Sequence, residues 1–256
     1  MSERIGIGIE ESGIARLIMR DRAGRNTFSD DFIAEVTAGL EQVERERPKV
    51  LILSGLPEVF CAGAHRGNLI GLCDGEIHVK DLLISEALVN TTFPVIAAME
   101  GHAVGGGFVM AMCCDIVLAA RESRYGAVFM SLGFTPGMGC TTLLPELVGP
   151  FIANEMMFTG KRFKGRELAK KNTNINYILP RSEVMPKAVD LALQISDKNR
   201  DSIHLLKSTL SARKRKLLID ARRQEDLMHR ISFGFPETRA RIEEFYAGEP
   251  GGENEE

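Results

Sequence analysis

Two apolar runs, Val50-Leu51-Ile52-Leu53 and Val95-Ile96-Ala97-Ala98-Met99, each lead into a stretch of small residues, and this pairing constrains the fold more than any other feature. The first is followed by Phe60-Cys61-Ala62-Gly63-Ala64, the second by Gly101-His102-Ala103-Val104-Gly105-Gly106-Gly107. Runs with no polar position read as strands buried on both faces, as in a parallel sheet. Small residues just beyond a strand let backbone approach backbone, or a ligand, closely. A triple glycine alone can equally serve tight packing of strand on helix. If both loops converge, their N–H groups can cradle an oxyanion. The Gly-x-Gly-x-x-Gly spacing of a dinucleotide fingerprint is absent.

The rest of the chain fits an α/β plan. Ile5, Ile7 and Ile9 alternate with other positions, and Glu11-Ser12-Gly13 separates them from Ile14 to Met19, which predicts a hairpin. Ser29-Asp30-Asp31 offers a cap and early acids for a helix carrying Phe32, Ile33, Val36, Leu40 and Val43. A third strand is expected at Ile116 to Ala120, and strands alternating with helices imply a largely parallel sheet. From about Arg181 to Tyr246 the pattern is helical. The last nine residues, Gly248 to Glu256, are acidic and Gly/Pro-rich and are expected to be disordered.

Composition excludes several classes. A chain of 256 residues with 44% hydrophobic residues can bury a sizeable core, and its apolar runs are too short to span a bilayer. The opening MSERIGIGIEESG has no basic stretch followed by an apolar core, so no secretory signal is read and the cytoplasm is expected. Net charge −3 argues against nucleic-acid binding. Five cysteines, Cys61, Cys73, Cys113, Cys114 and Cys140, lack metal or disulfide spacing and are read as packing residues. No metal site is expected. Lys161, Arg162, Lys164 and Arg166 form a basic cluster, as do Arg213 to Lys216, and each reads as a solvated face.

Asn26, Val50 to Gly55, Phe60 to Ala64, Pro94 to Gly101, Gly105 to Gly107, Asp115-Ile116 and Gly133 to Gly139 together resemble the crotonase (enoyl-CoA hydratase/isomerase) superfamily. The resemblance implies a crotonase fold, with repeated ββα units forming a spiral core over 1–180 and a helical trimerisation region over 181–247. It also implies an oxyanion hole built from the N–H groups of Ala64 and Gly106. Family hydratases carry two glutamates that activate water, and here Val109 and Phe129 occupy those positions. Without that pair, hydration loses acid/base assistance worth about 10²- to 10⁴-fold per group.

Phe108-Val109-Met110, Arg121-Glu122-Ser123 and Gly133 to Gly139 more closely resemble the decarboxylases of polyketide β-branching, which act on a methylglutaconyl group held by an acyl carrier protein. That resemblance assigns Lys80 and His229 as catalytic, the lysine to hold a carboxylate and the histidine to give a proton. Read without it, Lys80 is an ordinary exposed lysine and His229 a partly buried structural histidine. His65, Val109 and Phe129 are expected to line the substrate pocket. His102 falls in a variable loop position, and His78 and His204 carry no argument. A tyrosine found a turn before the lysine in some relatives is replaced by Glu76. No cofactor is expected beyond the phosphopantetheine of the carrier or of coenzyme A. The alternatives are a Δ3,Δ2-enoyl isomerase and a catalytically silent binding protein. A homotrimer or dimer of trimers is implied, with Leu205, Leu206, Leu210, Leu217, Leu218 and Ile219 supplying apolar surface.

Overall fold

A computed structural model describes residues 4–76 and 82–247. The chain opens with a hairpin of β1 (Ile5–Ile9) and β2 (Ile14–Met19), with Ile7 opposite Leu17. A short β3 (Thr27–Phe28) precedes α1 (Asp30–Arg45), whose cap is the Ser29 side chain accepting the Phe32 N–H at 3.2 Å. All five apolar positions expected on its inner face are buried.

Three passes of similar plan follow. The first is β4 (Val50–Ser54), β5 (Val59–Cys61), β6 (Gly63–Ala64), α2 (Arg66–Cys73) and α3 (Leu82–Asn90). The second is β7 (Val95–Met99), β8 (His102–Val104) and α4 (Gly106–Met112). The third is β9 (Ile116–Ala120), β10 (Arg124–Gly126), a 3-10 turn at Val128–Leu132, α5 (Cys140–Val148) and α6 (Pro150–Thr159). Then β11 (Phe163–Lys164), α7 (Gly165–Ala169) and β12 (Tyr177–Leu179) lead to three helices, α8 (Arg181–Ser196), α9 (Arg200–Ser232) and α10 (Pro236–Ala247).

The first strands of the passes join one six-stranded sheet, ordered β1-β2-β4-β7-β9-β12 and parallel beyond the hairpin. The second strands form a separate sheet, ordered β11-β10-β8-β5. Each pass therefore advances one strand in both sheets, which makes the core a spiral of the crotonase kind. Side chains alternate across β4: Leu51 and Leu53 enter the main core, while Val50 and Ile52 face a second cluster with Val184, Ala188 and Ala192 of α8. With both faces covered, the strand reads as an unbroken apolar run.

Candidate active site

The two small-residue loops meet. Asn26, fully buried, donates from its side-chain amide to the Met19 and Phe60 carbonyls at 3.2 and 2.9 Å, fastening the loop before β3 to β5. Beyond it β3 pairs with β6, placing Phe28 beside Ala64. A Cβ on Gly63, whose φ is +91°, would fall 2.6 Å from the Val104 carbonyl oxygen and 3.5 Å from the Gly106 nitrogen. One on Gly107 would fall 2.3 Å from the Cys61 carbonyl oxygen. Glycine is required at both places because backbone lies against backbone. Gly106 and Gly107 open α4, where N–H groups have no acceptor one turn back within the helix.

Ala64 and Gly106 border one cavity of about 600 Å³, open mouth included, together with Phe129 and His229. Its remaining wall is largely apolar, with Phe28, Leu69, Leu132 and Met138 among the contributors. Among the described residues, only His229 and Tyr246 bring polar side chains to it. Four of the expected site residues are thus gathered in one place. Two are not: His65 is exposed at the start of α2, and Val109 is fully buried in α4, off the cavity surface. Every residue of α4 is buried, and Val109 packs in the main core rather than on the cavity wall. Lys80 and His78 lie outside the described residues.

His229 comes from the far end of α9 and is held firmly. Its Nε2 lies 2.8 Å from the Thr135 carbonyl oxygen, which can only accept, so Nε2 carries a proton. Nδ1 is then the ring atom left for exchange with a ligand. The rings of Phe134 and Phe233 stand edge-on to the imidazole at 6.1 and 5.5 Å. The backbone at Gly137 passes so close that a Cβ there would fall 2.2 Å from His229 Cε1.

Sequence reasoning missed Glu225, one turn before His229. Its buried carboxylate accepts the Gly139 and Thr141 N–H groups at 2.7 and 2.9 Å and the Thr141 hydroxyl at 2.6 Å. A carboxylate from α9 thereby caps the start of α5, a favourable place for negative charge. The Glu225/His229 spacing of four was the available signal, since both side chains must share a helix face. Tyr246 was missed as well.

Other expectations find ordinary places. His102 Nδ1 accepts the Arg124 N–H at 2.8 Å, and His204 Nε2 bonds the Pro48 carbonyl at 3.1 Å. Cys61, Cys113, Cys114 and Cys140 are buried; burial pushes the Cys61 thiol up to about 12 and that of Cys113 to about 11. Lys161 pairs with Glu155 and Arg213 with Glu146, while Lys214 donates to core carbonyls of Cys113 and Cys114. Of the apolar residues expected to face a neighbour, Leu205, Leu206, Leu210 and Ile219 are exposed. Leu217 is only partly so, and Leu218 is buried because it turns onto α5 and packs near Gly139. No described helix is long and apolar enough to cross a membrane.

Successive passes of the spiral thus bring Ala64 and Gly106 to the wall of one largely apolar cavity. The chain belongs to the enoyl-CoA hydratase/isomerase family, whose model matches residues 9–245. It is 37% identical to the bacillaene synthase decarboxylase PksI of Bacillus subtilis (strain 168), over 92% of this chain and 95% of that one. A solved structure from a dehydratase/decarboxylase enzyme couple of polyketide β-branching superposes with TM-score 0.92 at 34% identity, covering 96% of this chain and all of that one. The ECH2 decarboxylase domain of CurF from Lyngbya majuscula superposes with TM-score 0.90 at 31% identity, covering 95% and 100%.

Proposed function

We propose that the chain decarboxylates a 3-methylglutaconyl-type thioester carried on an acyl carrier protein during polyketide β-branching. The observation that carries this reading is the cavity wall. Ala64 and Gly106 border a space whose described lining holds an imidazole and a phenol but no carboxylate. Such a wall suits charge developing on a thioester oxygen and does not suit activation of water by paired acids. The similarity to decarboxylases of β-branching supports the same choice over an isomerase or a silent binding protein.

In the reaction, the bond between the γ-carbon and its carboxylate breaks. Its electron pair flows into a dienolate whose charge collects on the thioester oxygen, facing the Ala64 and Gly106 N–H groups, and CO₂ leaves. Each well-placed donor contributes about 3–4 kcal/mol to such a step. His229 enters this step as the imidazolium: its Nε2–H stays on the Thr135 carbonyl, its Nδ1–H proton passes to the dienolate carbon, and the neutral ring regains a proton from solvent before the next turnover. Lys80 holds the departing carboxylate. The apolar wall excludes water and strengthens these contacts. The substrate's phosphopantetheine is the only prosthetic element this scheme uses.

The exposed Leu205, Leu206, Leu210 and Ile219 support assembly through 181–247 into a trimer or a dimer of trimers. The activity is tested by incubating the protein with 3-methylglutaconyl thioesters on a carrier protein and on coenzyme A, and following product mass. Loss of CO₂ is expected. Hydration of a crotonyl thioester without CO₂ release would overturn the reading.

A further inference from the structure

The scheme above uses one of the two polar side chains on the described cavity wall. The other, Tyr246, sits in the last turns of α10. Its hydroxyl donates to the Ala64 carbonyl oxygen at 2.8 Å. The neighbouring Phe245 lines the same cavity, its ring edge-on to Tyr246 with centroids 5.3 Å apart. Two consecutive aromatic side chains therefore seat the end of α10 beside the loop that supplies one oxyanion donor.

Ala64 needs such a hold. It closes β6, a strand of two residues in a sheet of only two strands, and His65 immediately after it starts the turn into α2 without a side-chain cap. So short a bridge fixes few torsions. A donor N–H weakens steeply as its angle to the acceptor falls away from linear, and a displacement of about 1 Å at a reacting centre can cost about 10²-fold in rate.

We propose that Tyr246 is a positioning residue. By gripping the carbonyl of Ala64 it fixes the backbone at that residue, and with it the direction of the Ala64 N–H towards the thioester oxygen. This rests on the reading of Ala64 as an oxyanion donor. It adds a tie to the far end of the chain, more than 180 residues away in sequence. The hydroxyl acts through Ala64 rather than on the substrate.

Y246F keeps the ring and removes the hydroxyl that donates to the Ala64 carbonyl. Two readouts are compared with the parent protein: steady-state decarboxylation of the carrier-bound thioester, and the absorbance of a bound, unreactive aryl-acryloyl pantetheine thioester, whose band moves to longer wavelength as its carbonyl is polarised. In Y246F, kcat should fall about tenfold with KM changed by less than about twofold, and the red shift should shrink. Unchanged kcat and red shift would overturn the proposal, as would a lowered melting temperature with both readouts intact. If the parent itself produces neither CO₂ nor a red shift, the oxyanion-hole reading falls and this proposal with it. A parent that shows both beside an indifferent Y246F removes only the role of Tyr246.

Discussion

Glu225 and His229, one turn apart on α9, grip the same loop: the carboxylate takes the Gly139 and Thr141 N–H groups while the imidazole donates to the Thr135 carbonyl. The loop and the histidine thus hold each other in place.

Replacing Glu225 by Ala should cost stability and activity together. It leaves the Gly139 N–H buried without an acceptor, a loss of about 1–3 kcal/mol. Urea melts should show that loss, and decarboxylation should slow because His229 rides on the same helix. Glu225→Gln, which keeps one acceptor, should fall between the two. A Glu225→Ala protein with parental turnover would show that the loop does not depend on this grip.

At Gly137 a methyl group would meet His229 Cε1 at 2.2 Å, so Gly137→Ala must push the ring aside. Turnover should drop at least about tenfold, because general acid/base catalysis requires hydrogen-bond reach. Affinity for an unreactive thioester should change far less. Equal losses in both would place the fault in the cavity wall rather than the imidazole.

His229→Gln and Lys80→Ala should each remove activity, by about 10²-fold or more, in proteins that remain folded. Circular dichroism alongside the mass-based assay checks this. Parental rates in both variants would refute the two assignments.

Installing glutamate at 109 and 129 should not create an efficient hydratase. Val109 is wholly buried, so Val109→Glu places a carboxyl among apolar neighbours and raises its pKa above the usual carboxylate value. The folded state then favours the neutral form. Stability should be greatest at acid pH and be lost as pH rises above about 4.3, where the unfolded chain ionises first. Melting temperatures measured across that range test the sign, and crotonyl-thioester hydration tests the chemistry.

Charge on the surface offers a separate test of the carrier. Arg162 and Arg166 are exposed, whereas Lys161 is already paired with Glu155. Reversing Arg162 and Arg166 should raise KM for carrier-bound substrate, more at low salt, and leave a pantetheine thioester unaffected. No change for either substrate would leave these residues as a solvated face.

Strands β4, β7 and β9 were legible because burial on both faces writes itself as unbroken apolar runs, and α1 because its cap and periodicity agree. The second sheet was not, since β8, β10 and β11 have three residues or fewer and carry no period. The small residues left the meeting of Gly63 with Gly106 open, and the resemblance implied it. The outward turn of His65 and the inward turn of Val109 depend on which way a loop and a short helix face, which no spacing specifies. Glu225 and Tyr246 escaped notice because the groups they hold, mostly backbone, lie far away in the chain.

Helix α9 runs 33 residues, about 50 Å, with no glycine or proline at which to bend. Near one end, buried Lys207 bonds Asp115, which also accepts the Val95 N–H at the start of β7, an inner strand of the six-stranded sheet. The imidazole lies 22 residues further along, at about 33 Å. The helix is therefore a tie rod: one unbroken element joins the anchor on the sheet to His229. Substitutions at Lys207 or Asp115 should behave, in kinetics, like lesions of the active site itself.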